Sequence, residues 1–280
     1  MSPKNPILLH ISLVCFDTPK ETLVRTISST VSAVSHLNRT DTNCTVALTI
    51  IDNAVPNSIT LNDFSTLRSK FNETNLEFRL IQGRGNLGYG PGQNLAFFEK
   101  RARYHLFLNP DVDLTQDCLA IGLSYLEDNA DVAIVSPRAI DAQGKRHFLC
   151  KRYPTILDLF IRGFVPPPVK LVFSDRISKY EMHDLSELTP TKGIPIVSGC
   201  FMLCRSEIID NIAGFDPAFF LYFEDFDLSM RAGKIASIAY VPAMSIAHYG
   251  GNTMRKGLKH VLFFCRSGVR FFRKHGWRWF

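Results

Sequence analysis

Short apolar runs alternate with longer amphipathic stretches along the first 115 residues. Leu8–Phe16, Thr45–Ile51, Leu76–Ile81 and Tyr104–Leu108 are strand candidates, predominantly apolar and of strand length. Helical stretches lie between them, around residues 20–37, a polar one around 62–72, and 93–103. Repeated β-α units of this kind predict a mostly parallel sheet flanked by helices, an α/β fold. A further helix over 117–129 leads to a strand at 132–135. From about 150 to 195 the pattern loosens, and Pro166-Pro167-Pro168 is expected to break any helix, so this stretch reads as an irregular insertion. Regular patterning returns in a strand over 194–204, a short helix from Ser206, the stretch 216–233 ending in a helix over 225–232, and a strand at 238–242.

Composition narrows the class. The 280 residues are 46% hydrophobic and 21% charged, an ordinary globular balance that excludes collagen-like, disordered and disulfide-scaffold chains. The net charge of +6 is unevenly placed. Residues 255–280 carry eight Lys or Arg and no carboxylate, leaving 24 basic against 26 acidic groups in the first 254. A generally cationic nucleic-acid binder is therefore not expected. On a helix, Leu258, Val261, Leu262, Cys265, Val269 and Phe272 would form an apolar stripe. Lys259, Arg266, Arg270, Arg273 and Lys274 would gather on another side, with Trp277, Trp279 and Phe280 at the end. The tail reads either as a helix docked on the core or as an interfacial helix attracted to an anionic membrane surface.

No signal-peptide pattern opens the chain and no run reaches membrane-spanning length, so a cytoplasmic protein, peripheral on the membrane at most, is expected. Seven scattered cysteines read as buried thiols; Cys200 and Cys204 have no second pair with which to hold zinc. The matches to Asn-x-Ser/Thr at Asn38, Asn43 and Asn72 are expected to be fortuitous.

In parallel α/β sheets ligands bind at the carboxyl ends of the strands. The second strand ends at Asp52-Asn53, where a carboxylate can accept from a nucleobase or ribose, or simply form a turn. The fourth ends Asn109-Pro110-Asp111-Val112-Asp113. If the chain stays extended, Asn109, Asp111 and Asp113 share one side as a hard-oxygen set suited to Mg²⁺ or Mn²⁺. Gly83-Arg84-Gly85-Asn86-Leu87-Gly88 matches a dinucleotide-binding pattern, but it lies in the third unit and Gly90-Pro91-Gly92 should delay the following helix. Glu224-Asp225, after an aromatic run, suits a general base in a partly dry cleft, and Asp227 can pair with Arg231 one turn on. His248 follows the last strand.

Taken in order, these motifs resemble the family 2 glycosyltransferases of the GT-A fold, in their bacterial rhamnosyltransferase-like branch. The resemblance runs through Ile11–Asp17, Asp52-Asn53, Asn86 to Asn94, Leu108 to Asp111, Ser198-Gly199-Cys200, the Glu224-Asp225 pair and His248. It implies a Rossmann-like nucleotide-sugar-binding subdomain over 1–115, an acceptor-binding and catalytic subdomain over 116–254, and the basic tail over 255–280. Phe16, Asp17, Asp52, Asn53, Asn86, Gly88, Asn94, Asn109 and Asp111 match donor-binding positions. Asp225 matches the catalytic base, with Glu224 beside it orienting the acceptor, and Gly199, Cys200 and Tyr222 join Glu224 on the acceptor side. Asp111, Asp113 and His248 are the implied ligands of a divalent metal cofactor, Mg²⁺ or Mn²⁺.

The activity implied is inverting transfer of a sugar, with dTDP-L-rhamnose the favoured donor and a UDP-sugar the fallback, onto a lipid-linked oligosaccharide or polysaccharide. Competing classes are an NAD-dependent oxidoreductase using Gly83–Gly88, a non-catalytic carbohydrate-binding module, and nucleic-acid binding by the tail.

Overall fold

The computed structural model describes residues 8–40, 44–250 and 257–280; Asn43, Gly251 and the basic residues at 255–256 lie outside them. The first half comprises β1 (Leu9–Cys15), α1 (Lys20–Thr40), β2 (Val46–Asp52), a 3-10 turn over 61–67 leading into α2 (Arg68–Glu73), β3 (Leu76–Ile81), α3 (Tyr89–Glu99) and β4 (Tyr104–Leu108). Next come β5 (Val112–Leu114), α4 (Cys118–Asp128), β6 (Val132–Ile140), β7 (Arg146–His147) and β8 (Cys150–Lys151). α5 (Ile156–Phe164), α6 (Pro167–Lys170) and α7 (Ser174–Tyr180) follow, then β9 (Thr191–Lys192), β10 (Ile196–Val197) and β11 (Phe201–Arg205). The chain closes with α8 (Ser206–Asn211), α9 (Glu224–Ala232), β12 (Ser237–His248) and α10 (Leu258–His275).

One sheet runs in the order β3-β2-β1-β4-β11-β6-β12-β5, with β7 beside β6 and β9 beside β12, while β8 and β10 pair separately. β1 to β4 are parallel, as are β6 and β12; β11 runs antiparallel between β4 and β6. Every residue of β1, β2 and β4 is buried, which is why these strands read as unbroken apolar runs rather than alternating ones. α1 covers the sheet with Leu23, Ile27, Val31 and Val34, one side chain per turn. Six of the seven cysteines are buried, and Cys265 is exposed. Among the described residues no helix is long and apolar enough to cross a membrane.

The α/β reading holds, and several element boundaries move. Helix α3 starts at Tyr89, not Gln93, with Gly90-Pro91-Gly92 as its first turn. Proline is tolerated there, and the two glycines let the helix approach Phe215 and Val14, whose side chains lie 2.9 Å from where a Cβ would stand at each. The proline triplet does not bar a helix: Pro167 opens α6, where a missing N–H costs nothing. The insertion is three helices and short strands rather than irregular chain. The strand expected over 194–204 is split into β10 and β11 by a turn at 198–200. The aromatic stretch before Glu224 is not helical, and β12 runs on through Pro242 by means of a bulge between Val241 and Ser245.

Candidate functional site

The turn at 198–200 ties the two acidic regions together. The Gly199 amide donates to Asp225 Oδ2 at 2.8 Å, while the neighbouring Cys200 carbonyl accepts the Asn109 amide at 2.9 Å. The end of β4 and the start of α9 therefore meet across three residues. Tyr89, from α3, closes the turn by donating its hydroxyl to the Gly199 carbonyl at 2.5 Å. A side chain at position 199 would bring its Cβ within 3.1 Å of the Asp225 Cβ, so glycine is what allows the approach. The Cys200 thiol is buried and pushed up to about 12, by burial foremost, so this residue serves the turn through its backbone.

The acidic pair is aimed by an uncommon backbone. Tyr222 and Phe223 both lie in the left-handed region, at φ 69° and 64°, immediately before α9. Non-glycine residues held so are costly and persist only where surroundings over-determine them. Here Phe223 is wedged among Phe226, Phe264 and Phe271, and the Tyr222 hydroxyl meets His260 Nδ1 at 2.7 Å. Helix α10 thus clamps the turn. Tyr222, expected on the acceptor side, is bound up in that clamp.

The two carboxylates differ. Asp225 accepts from the Gly199 and Phe226 amides, which partly offset the upward push of burial on its pKa. Glu224 is buried, its Oε2 has no partner, and burial together with the negative charge of Asp225 holds its carboxyl well above the usual range. Burial and its neighbour's charge thus push Glu224 toward its neutral form more strongly than Asp225, whose two amide donors favour the carboxylate, so Asp225 is the stronger candidate for the base.

Across the turn, Asp111 Oδ1 lies 3.4 Å from His248 Nε2. His147 stacks on His248 with ring planes 5° apart, the two Nδ1 atoms separated by 3.2 Å. Burial, with His248 beside it, lowers His147 to about 4, so its neutral ring can accept a hydrogen bond from the His248 Nδ1–H and leave His248 Nε2 turned toward Asp111. Gly250 belongs to the same knot, since a Cβ there would fall 2.1 Å from Asp111 Oδ2.

Asp113 is not part of it. Pro110-Asp111 form a turn that breaks the expected alternation, and β5 pairs with β12 instead of extending β4. Asp113 is salt-bridged at 3.0 Å to Arg25, whose guanidinium lies 3.8 Å over the Tyr249 ring. The three-residue set Asp111, Asp113 and His248 is therefore not assembled, and among the described residues no group of three such side chains is disposed to hold a metal ion. What fits a hard divalent cation is the pair Asp111 and His248, with positions left for phosphate oxygens.

The expected donor-side residues divide into open and occupied. Phe16 and Asp17, at the end of β1, are exposed. The Asp52 carboxylate instead accepts from the amides of Ala54, Ser58 and Ile59 and so folds its own loop, the simpler of the two readings of that position. Asn53 donates to the Gly88 carbonyl at 2.9 Å, and Asn86 accepts from the Gly88 amide. Asn94 makes two hydrogen bonds with the Phe215 backbone, one to its carbonyl and one from its amide. Gly88 lies against the Phe220 carbonyl, 2.1 Å from where its Cβ would stand, so the last glycine of the Gly83–Gly88 pattern faces protein backbone.

Tyr89, Arg25 and His147 carried no assigned role at the sequence level. Tyr89 lay within the matched stretch after Asn86, whereas nothing local marked Arg25 or the lone His147.

No family model matches the chain. It is 25% identical over 186 residues to the rhamnosyltransferase WbbL of Escherichia coli K12, a span covering 61% of this chain and 64% of that protein. It is 24% identical over 215 residues to the N-acetylglucosaminyl-diphospho-decaprenol L-rhamnosyltransferase of Mycobacterium tuberculosis, covering 71% and 68%. The matches thus span about two thirds of these relatives' lengths. Among solved structures, GalNAc-T7 with UDP, GalNAc and Mn²⁺ aligns at TM-score 0.62 and 12% identity over 96% of this chain and 48% of its own. Staphylococcus aureus TarS 1–349 with UDP aligns at TM-score 0.56 and 13% identity over 89% and 62%. The chain is a GT-A-fold relative of the family 2 glycosyltransferases, similar in sequence to bacterial rhamnosyltransferases.

Proposed function

We propose that this protein transfers a sugar from a nucleotide-sugar donor to a hydroxyl of a lipid-linked oligosaccharide or polysaccharide, with inversion at the anomeric carbon. The observation that carries the reading is the join at 198–200, which brings buried Glu224 and half-buried Asp225 beside the strand end bearing Asn109 and Asp111. Residues 1–115 would hold the donor and residues 116–254 the acceptor side.

In this reading Asp225, steadied by the Gly199 and Phe226 amides, takes the proton from the acceptor hydroxyl as its oxygen bonds to the anomeric carbon and the bond to the diphosphate breaks. Glu224, biased toward its neutral form by burial, hydrogen-bonds the acceptor and orients it. Exposed Phe16 and Asp17 meet the nucleotide, and Asp52 shapes the loop around it. Asp111 and His248 would hold a divalent cation, Mg²⁺ or Mn²⁺, whose chemistry when bound is to neutralise the diphosphate leaving group.

The relatives named above favour L-rhamnose from dTDP-L-rhamnose, with a UDP-sugar the second reading because GalNAc-T7 and TarS are known with UDP. A thermal-shift panel of dTDP- and UDP-sugars, with and without Mn²⁺ or Mg²⁺, tests both points. A metal-dependent shift with dTDP-L-rhamnose is expected. Stabilisation by NAD and by no nucleotide sugar would overturn the proposal.

A further inference from the structure

We propose that the outer face of α10, the C-terminal tail and the α5–Phe173 segment form one surface that docks on an anionic lipid bilayer. The inference stands on surface chemistry and holds whichever donor the site takes.

Helix α10 has two apolar faces. One is docked: Ser267 donates to the Leu221 carbonyl, Gly268 lies against the Phe223 ring, and Phe271 and Phe272 are buried. The stripe expected to run from Leu258 to Phe272 is thereby divided. Phe272 goes to the core, while Leu258 and Leu262 stay 89% and 67% exposed, with Cys265 and Val269 completing the outer row. These four recur at one side chain per helical turn, a continuous apolar line facing solvent.

The charges are sorted as well. Lys274 is drawn inward to Asp227 and Asp216. Lys259, Arg266, Arg270 and Arg273 are exposed on the face adjoining the outer apolar line, and no carboxylate follows Asp227 in the sequence. Their long stems can lie along an apolar surface while the charged heads reach phosphate groups.

Exposed apolar side chains are also found beyond the helix. Trp277 and Trp279 stack at 5.7 Å, and the tail backbone is hydrogen-bonded to α5, Arg278 and Trp279 carbonyls accepting from the Ile156 and Leu157 amides. Further along, Phe160, Phe164, Leu171 and Val172 are all exposed, Val172 at 80%. Amphipathic aromatic rings beside basic residues are what a membrane–water interface selects.

Charge decides between occupants. Two copies of this chain meeting symmetrically through the row would set like charges against each other. A nucleic acid would engage the bases but leave the apolar line in water. An anionic bilayer satisfies both. Because the same helix clamps the Tyr222-Phe223 turn, docking would also place the acidic pair next to the lipid surface.

The full chain should sediment with vesicles of equal parts phosphatidylglycerol and phosphatidylcholine, and not with phosphatidylcholine alone. With each basic residue contributing roughly fivefold, Arg266→Gln/Arg270→Gln/Arg273→Gln should lower the partition coefficient about 100-fold without changing the melting temperature. Leu262→Asn/Val269→Asn should weaken sedimentation while all charges remain. Equal binding to neutral vesicles, undiminished binding by both variants, concentration-dependent dimerisation abolished by Leu262→Asn/Val269→Asn, or a preference for single-stranded DNA over vesicles would each overturn the proposal.

Discussion

Helix α9 carries carboxylates with opposite fates. Asp227 is fully buried and surrounded by cations: Arg231 Nε at 2.7 Å, Lys274 Nζ at 2.7 Å and His275 Nε2 at 2.8 Å. Burial pushes its pKa up, but these partners prevail and hold it at about 2. One turn earlier, buried Glu224 has no cation beside it, while half-buried Asp225 has backbone amides and the charge of Lys151; the carboxyl pKa values of both are raised. The same element thus holds a carboxylate that locks α10 in place and a pair kept at an energetic cost. Such a cost without structural return is what a catalytic position looks like.

The contrast can be broken by substitution, beginning with the largest expected effect. Asp225→Asn should reduce sugar transfer by about 10²–10⁴-fold while leaving donor binding and melting temperature nearly unchanged. Single-turnover assays beside donor titrations separate the two; transfer at the wild-type rate would remove Asp225 from the reaction.

Asp227→Asn should do the reverse, costing about 3 kcal/mol of stability because three basic groups lose their shared anion. Denaturant titration measures it. The pH dependence has a definite sign. Since the folded-state pKa lies below the ordinary 3.8, the contribution is complete above that value and is lost as pH falls toward about 2. The variant should lack that part of the acid-side loss, worth about 2 kcal/mol.

The smallest effect is a gain. A raised carboxyl pKa means that deprotonating Glu224 opposes folding, so its penalty grows as pH rises above the unfolded-state pKa and levels off only above the folded one. Glu224→Gln keeps the shape without the proton to lose and should raise stability by about 1 kcal/mol at pH 8, seen as a higher melting temperature, with transfer impaired. Equal melting curves at pH 5 and pH 8 for both proteins would show that the burial of Glu224 carries no penalty.

How far the site was legible followed from the range of the interactions involved. Asp227–Arg231 is a pair four residues apart on one helix and could be named from spacing. Asp111 with His248 could be listed only as members of a resemblance, because 137 residues separate them and no local rule joins them. Asp113 shows the limit of alternation: two residues from Asp111, it should have shared its side, yet the turn at Pro110 and the pull of Arg25 sent it elsewhere. His147 had no local signal at all, since its partner is 101 residues away.

The α/β class and strands β1, β2 and β4 were determined by sequence alone, because burial on both faces leaves a nearly unbroken apolar run that needs no tertiary information to read; β3, only partly buried and carrying Glu77 and Arg79, lacks that signal. The concentration of positive charge after residue 254 was equally plain. Tertiary structure alone decided which face of α10 turns inward, because the choice depends on Asp227, Phe223 and Tyr222 reaching it from another element. It also decided that Asp225 stands beside the end of β4. That contact is made by a three-residue turn whose hydrogen bonds run to partners 26 and 91 residues away, a distance over which periodicity carries no information.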